Sequence, residues 1–285
     1  LGLLSEKGWG NAETENDVEA ILNCEEEKTW QVIQEVSPDL TVFDVMSYPK
    51  LYHNLKAAIK EVCTEVTNEK IFYDDCEIPG KEMLSIVENK AFERLPGNME
   101  AAAKEAYETL LQTRDGQLCD VIVDRAALEA ITQAGHDVKD EIIRVYAEST
   151  VALANIKIAV RCQKTGKSLE FMKRAMAPCE SINVEQLAKA ALSGADALRE
   201  YLKETVYADG VEALEESPSA FERWCDNRMI EAIKPQKYNA FSAGPLVAYL
   251  LARQNEIKTV RMILTGKQNG FPDEMIRERI REMYV

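Results

Sequence analysis

Apolar residues recur at intervals of three, four or seven through the longest patterned stretch of the chain, residues 244–267. This spacing places them on one side of an α-helix, so the stretch predicts a single long amphipathic helix. Pro245 suits the first turn, where its missing backbone N–H costs nothing, and Gly266 suits the end. The predicted apolar stripe comprises Leu246, Leu250, Ile257, Val260 and Leu264.

Most other segments are patterned in the same way, and no sustained alternation typical of strands is present. Abundant Leu, Ala, Glu and Lys, with little Gly and Pro, favour an all-α fold. The further helices predicted are 17–24, 26–36, 49–63, 81–92, 99–112 capped by Asn98, 121–134 ended by Gly135, 138–164 ended by Gly166, 168–176, 184–192 capped by Asn183, 196–206, 221–233 begun at Ser217, and a final helix from 271 to the carboxyl terminus.

An asparagine followed six residues later by a basic residue occurs in three of the long helices, at intervals of about 100 residues. Two further anchors repeat at nearly the same interval. Asp124 and Asp226 each begin an Asp-x4-Glu-Ala-Ile pattern, and Gly166 and Gly266 each lie within Thr-Gly-Lys. The asparagine pairs are Asn54 with Lys60, Asn155 with Arg161, and Asn255 with Arg261.

The repeat predicts three similar helical domains of about 100 residues, with boundaries at 1–78, 79–180 and 181–285. A third Glu-Ala-Ile, at residues 19–21, lies too far from Asn54 to share the register, so we do not count it. The first copy is expected to lack its amino-terminal part. A period of this length exceeds that of most solenoid repeats. Spacing alone leaves open whether the domains form a row or close around an axis.

Each copy also carries two basic residues about one turn apart, beside the apolar stripe. They have two readings: a solvated flank with internal ion pairs, or three equivalent sites facing a shared partner or an inter-domain seam. The asparagines favour a structural role, because Asn is a poor helix former and its amide can bond a neighbouring backbone. The basic residues are Lys56, Lys60, Lys157, Arg161, Lys258 and Arg261.

The net charge is −15 and the pI about 4.8. Nucleic acids and anionic lipid surfaces require a basic face, so both are unexpected partners. A basic protein partner fits, as does a plain acidic surface. The seven cysteines show no C-x-x-C spacing and read as reduced core residues, which suits a cytosolic protein.

The sequence shows no arrangement of residues typical of catalysis or of a bound cofactor or metal. His53 and His136 are isolated, and the acidic pairs lack a group that would perturb them. The Thr-Gly-Lys segments lack the glycine framework and the strand of a phosphate loop. No apolar run approaches the roughly 20 residues that a membrane-spanning helix needs. We therefore expect a non-enzyme without a small-molecule substrate.

The carboxyl-terminal stretch GPLVAYLLARQNEIKTVRMILTGKQNGFPDEMIRERI resembles the end of the C subunit of archaeal and bacterial V/A-type ATPases. The eukaryotic counterpart is the d subunit of the vacuolar enzyme. YPKLYHNLKAAIK, residues 48–60, and LANIKIAVR, residues 153–161, are similar to the first- and second-copy signatures of the family. With the amino-terminal Gly-aromatic-Gly segment, the resemblance covers the whole chain, apart from the first helices of the family.

The resemblance implies what the spacing leaves open. The three domains would form a pseudo-threefold funnel or socket that seats on the membrane proteolipid ring and receives the D- and F-type central-stalk subunits. The chain would then be a peripheral, non-catalytic rotor subunit at the cytoplasmic face, transmitting torque for proton or sodium transport. The alternative is a free-standing helical-repeat scaffold that binds cytosolic proteins. The direction of the ATP reaction and the choice of cation depend on other subunits.

Overall fold

The computed structural model describes residues 1–11, 14, 17–37, 39–66 and 71–284. Within these ranges the chain is all-helical and contains no strand, as predicted. The three-domain pseudo-threefold arrangement and its boundaries stay predictions. The α-helices are α1 Gly2–Glu6, α2 Val18–Val36, α3 Asp44–Thr64, α4 Gly80–Glu88, α5 Met99–Thr113, α6 Gly116–Asp137, α7 Glu141–Lys164, α8 Leu169–Ala175, α9 Val184–Ser193, α10 Ala195–Lys203, α11 Val211–Glu216, α12 Pro218–Ile233, α13 Gly244–Gln268 and α14 Asp273–Arg277.

The chain divides into two compact units. The first comprises Leu1–Val42, Asp140–Ile143 and Asp209–Val285. In it α13 packs against α2, α12 and α14, and α11 packs against α12. Helix α13 is therefore the central element of this unit, as its length and apolar content suggest.

The second unit comprises Phe43–Lys139 and Arg144–Ala208. Helices α3, α4, α5 and α6 enclose one apolar core that draws side chains from Leu51 to Ala127. Members of this core lie on both sides of residue 78, where the first sequence copy was predicted to end. Helix α6 also packs against α8, α8 against α9, and α9 against α10.

Several predicted helix limits are wrong, and each error has a local cause. Residues 18–36 form one helix, α2, because Glu25, which interrupts the apolar pattern, is buried with polar partners instead of starting a new helix. Helix α3 begins at Asp44, so Pro49 lies inside it and forgoes one helical hydrogen bond. Helix α14 ends at Arg277, well before the carboxyl terminus.

The glycines predicted to end helices behave differently from one another. Gly166 follows α7 with φ +62°, the left-handed conformation of a helix stop. Gly135 and Gly266, by contrast, lie inside α6 and α13. A Cβ at Gly266 would lie 2.9 Å from Cγ1 of Ile276, so this glycine allows α14 to approach α13 closely.

Predicted capping is confirmed at two helices and wrong at a third. The Asn183 side chain accepts hydrogen bonds from the N–H groups of Glu185 and Gln186, and that of Ser217 from Ala220. Asn98 precedes α5 but makes no side-chain cap. Its Nδ2 donates instead to the carbonyl oxygen of Ala126 on α6 at 2.8 Å, so the tertiary contact replaces the cap.

The apolar stripe predicted on α13 is only partly buried. Leu250 and Ile257 are buried, whereas Leu246, Val260 and Leu264 are half-exposed. The buried face is rotated toward Val247 and Leu251 and includes the polar Asn255. Because the buried face contains a polar residue, the spacing of apolar residues alone does not identify it.

Candidate functional site

Asn54, on α3, is completely buried and binds the chain segment that returns after this helix. Its Nδ2 donates to the carbonyl oxygens of Tyr73 at 2.7 Å and Ile78 at 3.2 Å. Its Oδ1 accepts the N–H of Tyr73 at 2.9 Å. One side chain therefore satisfies several backbone groups that lie outside regular structure.

Asn155, on α7, makes a similar contact with returning backbone and is also completely buried. Its Nδ2 donates to the carbonyl oxygen of Ala177 at 2.7 Å, and its Oδ1 accepts the Ala177 N–H at 3.1 Å. This two-way contact fixes a single backbone residue to the middle of a long helix. We call the asparagine contacts with the returning backbone the asparagine clamps.

Asn255, on α13, forms the third clamp. Its Nδ2 donates to the carbonyl oxygen of Glu282 at 2.8 Å. The N–H of Glu282 is bound by a different amide, Oδ1 of Asn227 on α12, at 2.8 Å. The carboxyl-terminal segment is thus held from two helices of the first unit.

A cysteine accompanies each of the first two clamps, which the sequence analysis missed. Nδ2 of Asn54 lies 3.2 Å from Sγ of Cys76, and Nδ2 of Asn155 lies 3.6 Å from Sγ of Cys179. Burial, followed by the nearby Asp75 charge, raises the pKa of the Cys76 thiol. Both cysteines precede a glutamate, and they lie about 100 residues apart, so the repeat itself contained this signal.

The basic residues of the first copy form ion pairs with helix α6. Nζ of Lys56 lies 2.6 Å from Oδ1 of Asp124, and Nζ of Lys60 lies 2.6 Å from Oδ1 of Asp120. These contacts match the reading of a flank with internal ion pairs. They contribute little individually, because all four side chains are partly exposed.

The basic residues of the third copy are also paired. Nζ of Lys258 lies 2.7 Å from Oδ2 of Asp226 on α12, which also receives Nε of Arg281 at 3.0 Å. Arg261 lies 3.0 Å from Oε2 of Glu19 on α2. Glu19 belongs to the Glu-Ala-Ile segment left out of the repeat, and it binds the helix of the last copy.

The basic residues of the second copy differ from the others. Lys157 and Arg161 are exposed on α7, and neither makes an ion pair with any residue that the structure describes. Lys164, one turn further along, is also exposed and makes no ion pair with any described residue. The three predicted basic sites are therefore equivalent in position along the sequence but not in their contacts.

A buried ionic cluster in the first unit was not found by the sequence analysis. Glu25, whose side chain is 6% exposed, lies 2.6 Å from Arg253 and 2.7 Å from Lys28. It also accepts the N–H of Gly10 at 2.9 Å. Burial works to raise the pKa of Glu25, but the hydrogen bonds from Lys28 and Gly10 and the charges of Lys28 and Arg253 lower it overall.

The same cluster holds the amino-terminal Gly-Trp-Gly segment. Lys28 donates to the carbonyl oxygens of Gly8 at 2.9 Å and Gly10 at 2.8 Å. The guanidinium of Arg253 lies 5.3 Å from the centre of the Trp9 ring. The signal for the cluster was Glu25 itself, a charge placed between Leu22 and Thr29 on the buried face of α2.

The described residues include no group of three or more His, Cys, Asp or Glu side chains placed to hold a metal ion. Their helices also include none that combines the length and the apolar character needed to cross a membrane. The asparagine clamps and the Glu25 cluster fix the long helices, and α7 presents cations at its surface.

Comparison with known proteins places these features in one family. The family described as ATP synthase (C/AC39) subunit matches residues 1–279. The C subunit of the V-type sodium ATPase of Enterococcus hirae is 24% identical over 279 residues, which cover 95% of this chain and 84% of the relative.

Two archaeal relatives are similar at the same level. The C subunit of the A-type ATP synthase of Methanothermobacter thermautotrophicus is 23% identical, with 92% of this chain and 74% of the relative covered. That of Halorubrum lacusprofundi is 24% identical, with 80% and 70% covered. Because the family matches nearly the whole chain, this protein belongs to the C/AC39 subunit family of V/A-type ATPases and ATP synthases.

Proposed function

We propose that the chain is the rotor subunit that links the central stalk to the membrane proteolipid ring. It receives the D- and F-type stalk subunits on one side and seats on the ring on the other, at the cytoplasmic face. Its task is mechanical, the transmission of torque for proton or sodium transport, and we assign it no catalytic step, cofactor or small-molecule substrate. Membership of the C/AC39 family carries this proposal.

The long clamped helices support a mechanical role. Helices α3, α7 and α13 contain 21, 24 and 25 residues, so each is about 30–40 Å long. Each carries an asparagine clamp well inside its length. Hydrogen bonds from the middle of a helix to the returning backbone resist sliding of one segment along another, as a rigid coupling requires.

Stability within the first unit supports the same role. The Glu25 cluster joins α2 to α13 and also holds the amino-terminal segment. Partly buried charged hydrogen bonds are short and directional, so they oppose rotation of one helix about another. A subunit that passes torque needs such cross-links between elements distant in sequence.

Co-purification tests the proposal. The tagged chain is expressed with the stalk subunits and ring of its own ATPase, and membranes are solubilised in mild detergent. We expect both the D-type stalk subunit and the proteolipid to be recovered with the chain. The same tag on an unrelated helical protein serves as the control. Recovery of neither subunit, in a preparation where stalk and ring are present, would overturn the proposal.

Rotary coupling gives a second measurement. Without this subunit, we expect the soluble motor to hydrolyse ATP while cation transport across the membrane stops. Restoring the purified chain should bring back transport without raising the hydrolysis rate of the isolated soluble motor. Transport at the full rate in membranes that lack the chain would contradict a linking role.

A further inference from the structure

Residues 149–169, which comprise much of α7 and the turn after it, contain no Asp or Glu. This is unusual in a chain with 49 acidic residues against 34 basic ones. Lys157, Arg161 and Lys164 follow one another here at intervals of four and three residues. They therefore lie along one face of the helix over about 10 Å. We call this the free cation face.

The repeat shows why these cations have no partner among the described residues. Asp124 and Asp226 occupy equivalent positions in the second and third copies, and Asp226 binds Lys258 of its own copy. Asp124, however, binds Lys56 of the first copy. The carboxylate that the repeat would supply to Lys157 is thus already used, and no other described residue replaces it.

We propose that the free cation face docks an acidic helical face of a central-stalk subunit. This inference rests on the proposed function and makes it more specific. An acidic helix with carboxylates at intervals of four and three residues matches the spacing of the three cations. Ala154 and Ile158, both half-exposed on α7 beside the cations, supply apolar surface for the contact.

The consequence is that only one of the three copies binds the stalk through unpaired cations. The basic residues of the first and third copies form ion pairs within the chain. The predicted equivalents in the second copy, Lys157 and Arg161, form none with any described residue. A stalk held by charge at one of three positions has one preferred angular register. Complementary charge of this kind sets orientation and association rate more than total affinity.

Other polyanions fit the face less well. Anionic lipid surfaces are typically bound by clusters of about four to eight cations, and this face has three on a chain of net charge −15. The same net charge opposes nucleic acid, which needs an extended basic surface. A short, defined row of cations suits a short, defined row of carboxylates.

Charge reversal tests the inference in the full chain. The test variant carries Lys157→Glu, Arg161→Glu and Lys164→Glu. The matched control carries Lys104→Glu, Lys189→Glu and Lys203→Glu, three exposed lysines of the same unit that pair with acids on their own helices. Both variants change the net charge equally. A neutral triple, with Gln at 157, 161 and 164, serves if the reversed variant folds poorly.

Binding of purified D- and F-type stalk subunits is measured at several salt concentrations, and binding of anionic phosphatidylglycerol vesicles in parallel. We expect stalk binding to fall roughly tenfold in the test variant, to hold in the control, and to weaken with salt for the parent chain. Unchanged stalk binding in a folded test variant would overturn the inference but leave the proposed function intact. Vesicle binding that depends on the same three residues, with stalk binding unaffected, would also overturn it.

Failure of the proposed function has a different signature. If the parent chain binds neither stalk nor ring, both the function and the inference fall together. If it binds the ring and the stalk but the three cations are irrelevant, only the inference fails. Circular dichroism and the thermal midpoint, which we expect to match the parent, show that a loss of binding is not a loss of folding.

Discussion

The carboxylate of Glu25 accepts a hydrogen bond from the guanidinium of Arg253 at 2.6 Å, across 228 positions of the sequence. This contact links α2 to α13 at the centre of the first unit. The two side chains are only 6% and 19% exposed, so water screens the attraction between them weakly. Removing either partner is costly, because the charge that stays is partly buried and keeps fewer partners: Arg253 retains Glu256, and Glu25 retains Lys28.

Glu25→Ala should therefore lower the free energy of unfolding by about 3 kcal/mol, because Arg253, Lys28 and the N–H of Gly10 lose a shared acceptor. Urea unfolding of the full chain, followed by circular dichroism, measures the loss. Glu100→Ala, which breaks the exposed pair with Lys104, is the matched control and should cost under about 0.5 kcal/mol. Equal costs for the two variants would contradict a stabilising cluster.

The same carboxyl group should make stability depend on pH. The pKa of Glu25 is lowered in the folded chain from an ordinary value of 4.5. Its contribution is therefore complete above pH 4.5 and is lost as the pH falls through the lower folded pKa. We expect the stability advantage of the parent over Glu25→Gln to be constant near neutral pH and to shrink below pH 4.5. A difference that stays constant down to about pH 3 would show that the charge of Glu25 is not what stabilises the unit.

The Asn155 clamp should be sensitive to loss of its amide. Asn155→Ala leaves the buried N–H and carbonyl of Ala177 without their partners and should cost about 2–3 kcal/mol. Asn155→Asp keeps the volume but places an acceptor against the Ala177 carbonyl, so it should cost at least as much. Hydrogen exchange at the Ala177 amide gives a local readout and should accelerate in both variants.

The exposed Asn89 supplies a control for this prediction. Its amide donates to the carbonyl oxygen of Ser85 within a solvated helix end, so Asn89→Ala should change stability by less than about 0.5 kcal/mol. Slow exchange at Ala177 in Asn155→Ala, equal to that of the parent, would show that the clamp does not hold the returning segment.

Gly166 and Gly266 occupy equivalent positions but should respond to Ala for different reasons. Gly166→Ala forces a side chain into a backbone with φ +62° and should cost about 1 kcal/mol, with Asn tolerated better. Gly266→Ala should instead push Ile276 away, because the new Cβ would lie 2.9 Å from its Cγ1.

A double-mutant cycle with Ile276→Ala separates these causes. Ile276→Ala should cost less in the Gly266→Ala background than in the parent chain, since it removes the clash, and urea unfolding measures both values. No such coupling is expected between Ile276→Ala and Gly166→Ala. Additive costs in the first pair would mean that α14 moves away from α13 freely.

The all-helical fold could be predicted from the sequence because apolar spacing directly reports a helix face. The pattern failed where a polar side chain lies inside that face. Glu25 split α2 into two predicted helices, and Asn255 concealed the buried side of α13. In both cases the polar group is compensated by partners far away in the chain, which local spacing does not show.

The sequence could place the basic residues on long helices, but it could not give their ion-pair partners. The repeat predicted equivalent positions for Lys56, Lys157 and Lys258, since each follows its asparagine by two or three residues. Only the packing of α3 against α6 decides that Asp124 binds Lys56. By sequence, Asp124 could bind either Lys56 or Lys157, and the packing of the helices selects Lys56.

The asparagine clamps also explain how the predicted repeat can rest on so few shared residues. The backbone groups that they hold belong to Tyr73, Ala177 and Glu282, whose side chains share no chemistry. Every residue carries a carbonyl oxygen, so the returning segments are free to drift in sequence while the amide that binds them is not. The predicted repeat is therefore visible in the three asparagines and not in the residues whose backbone they bind.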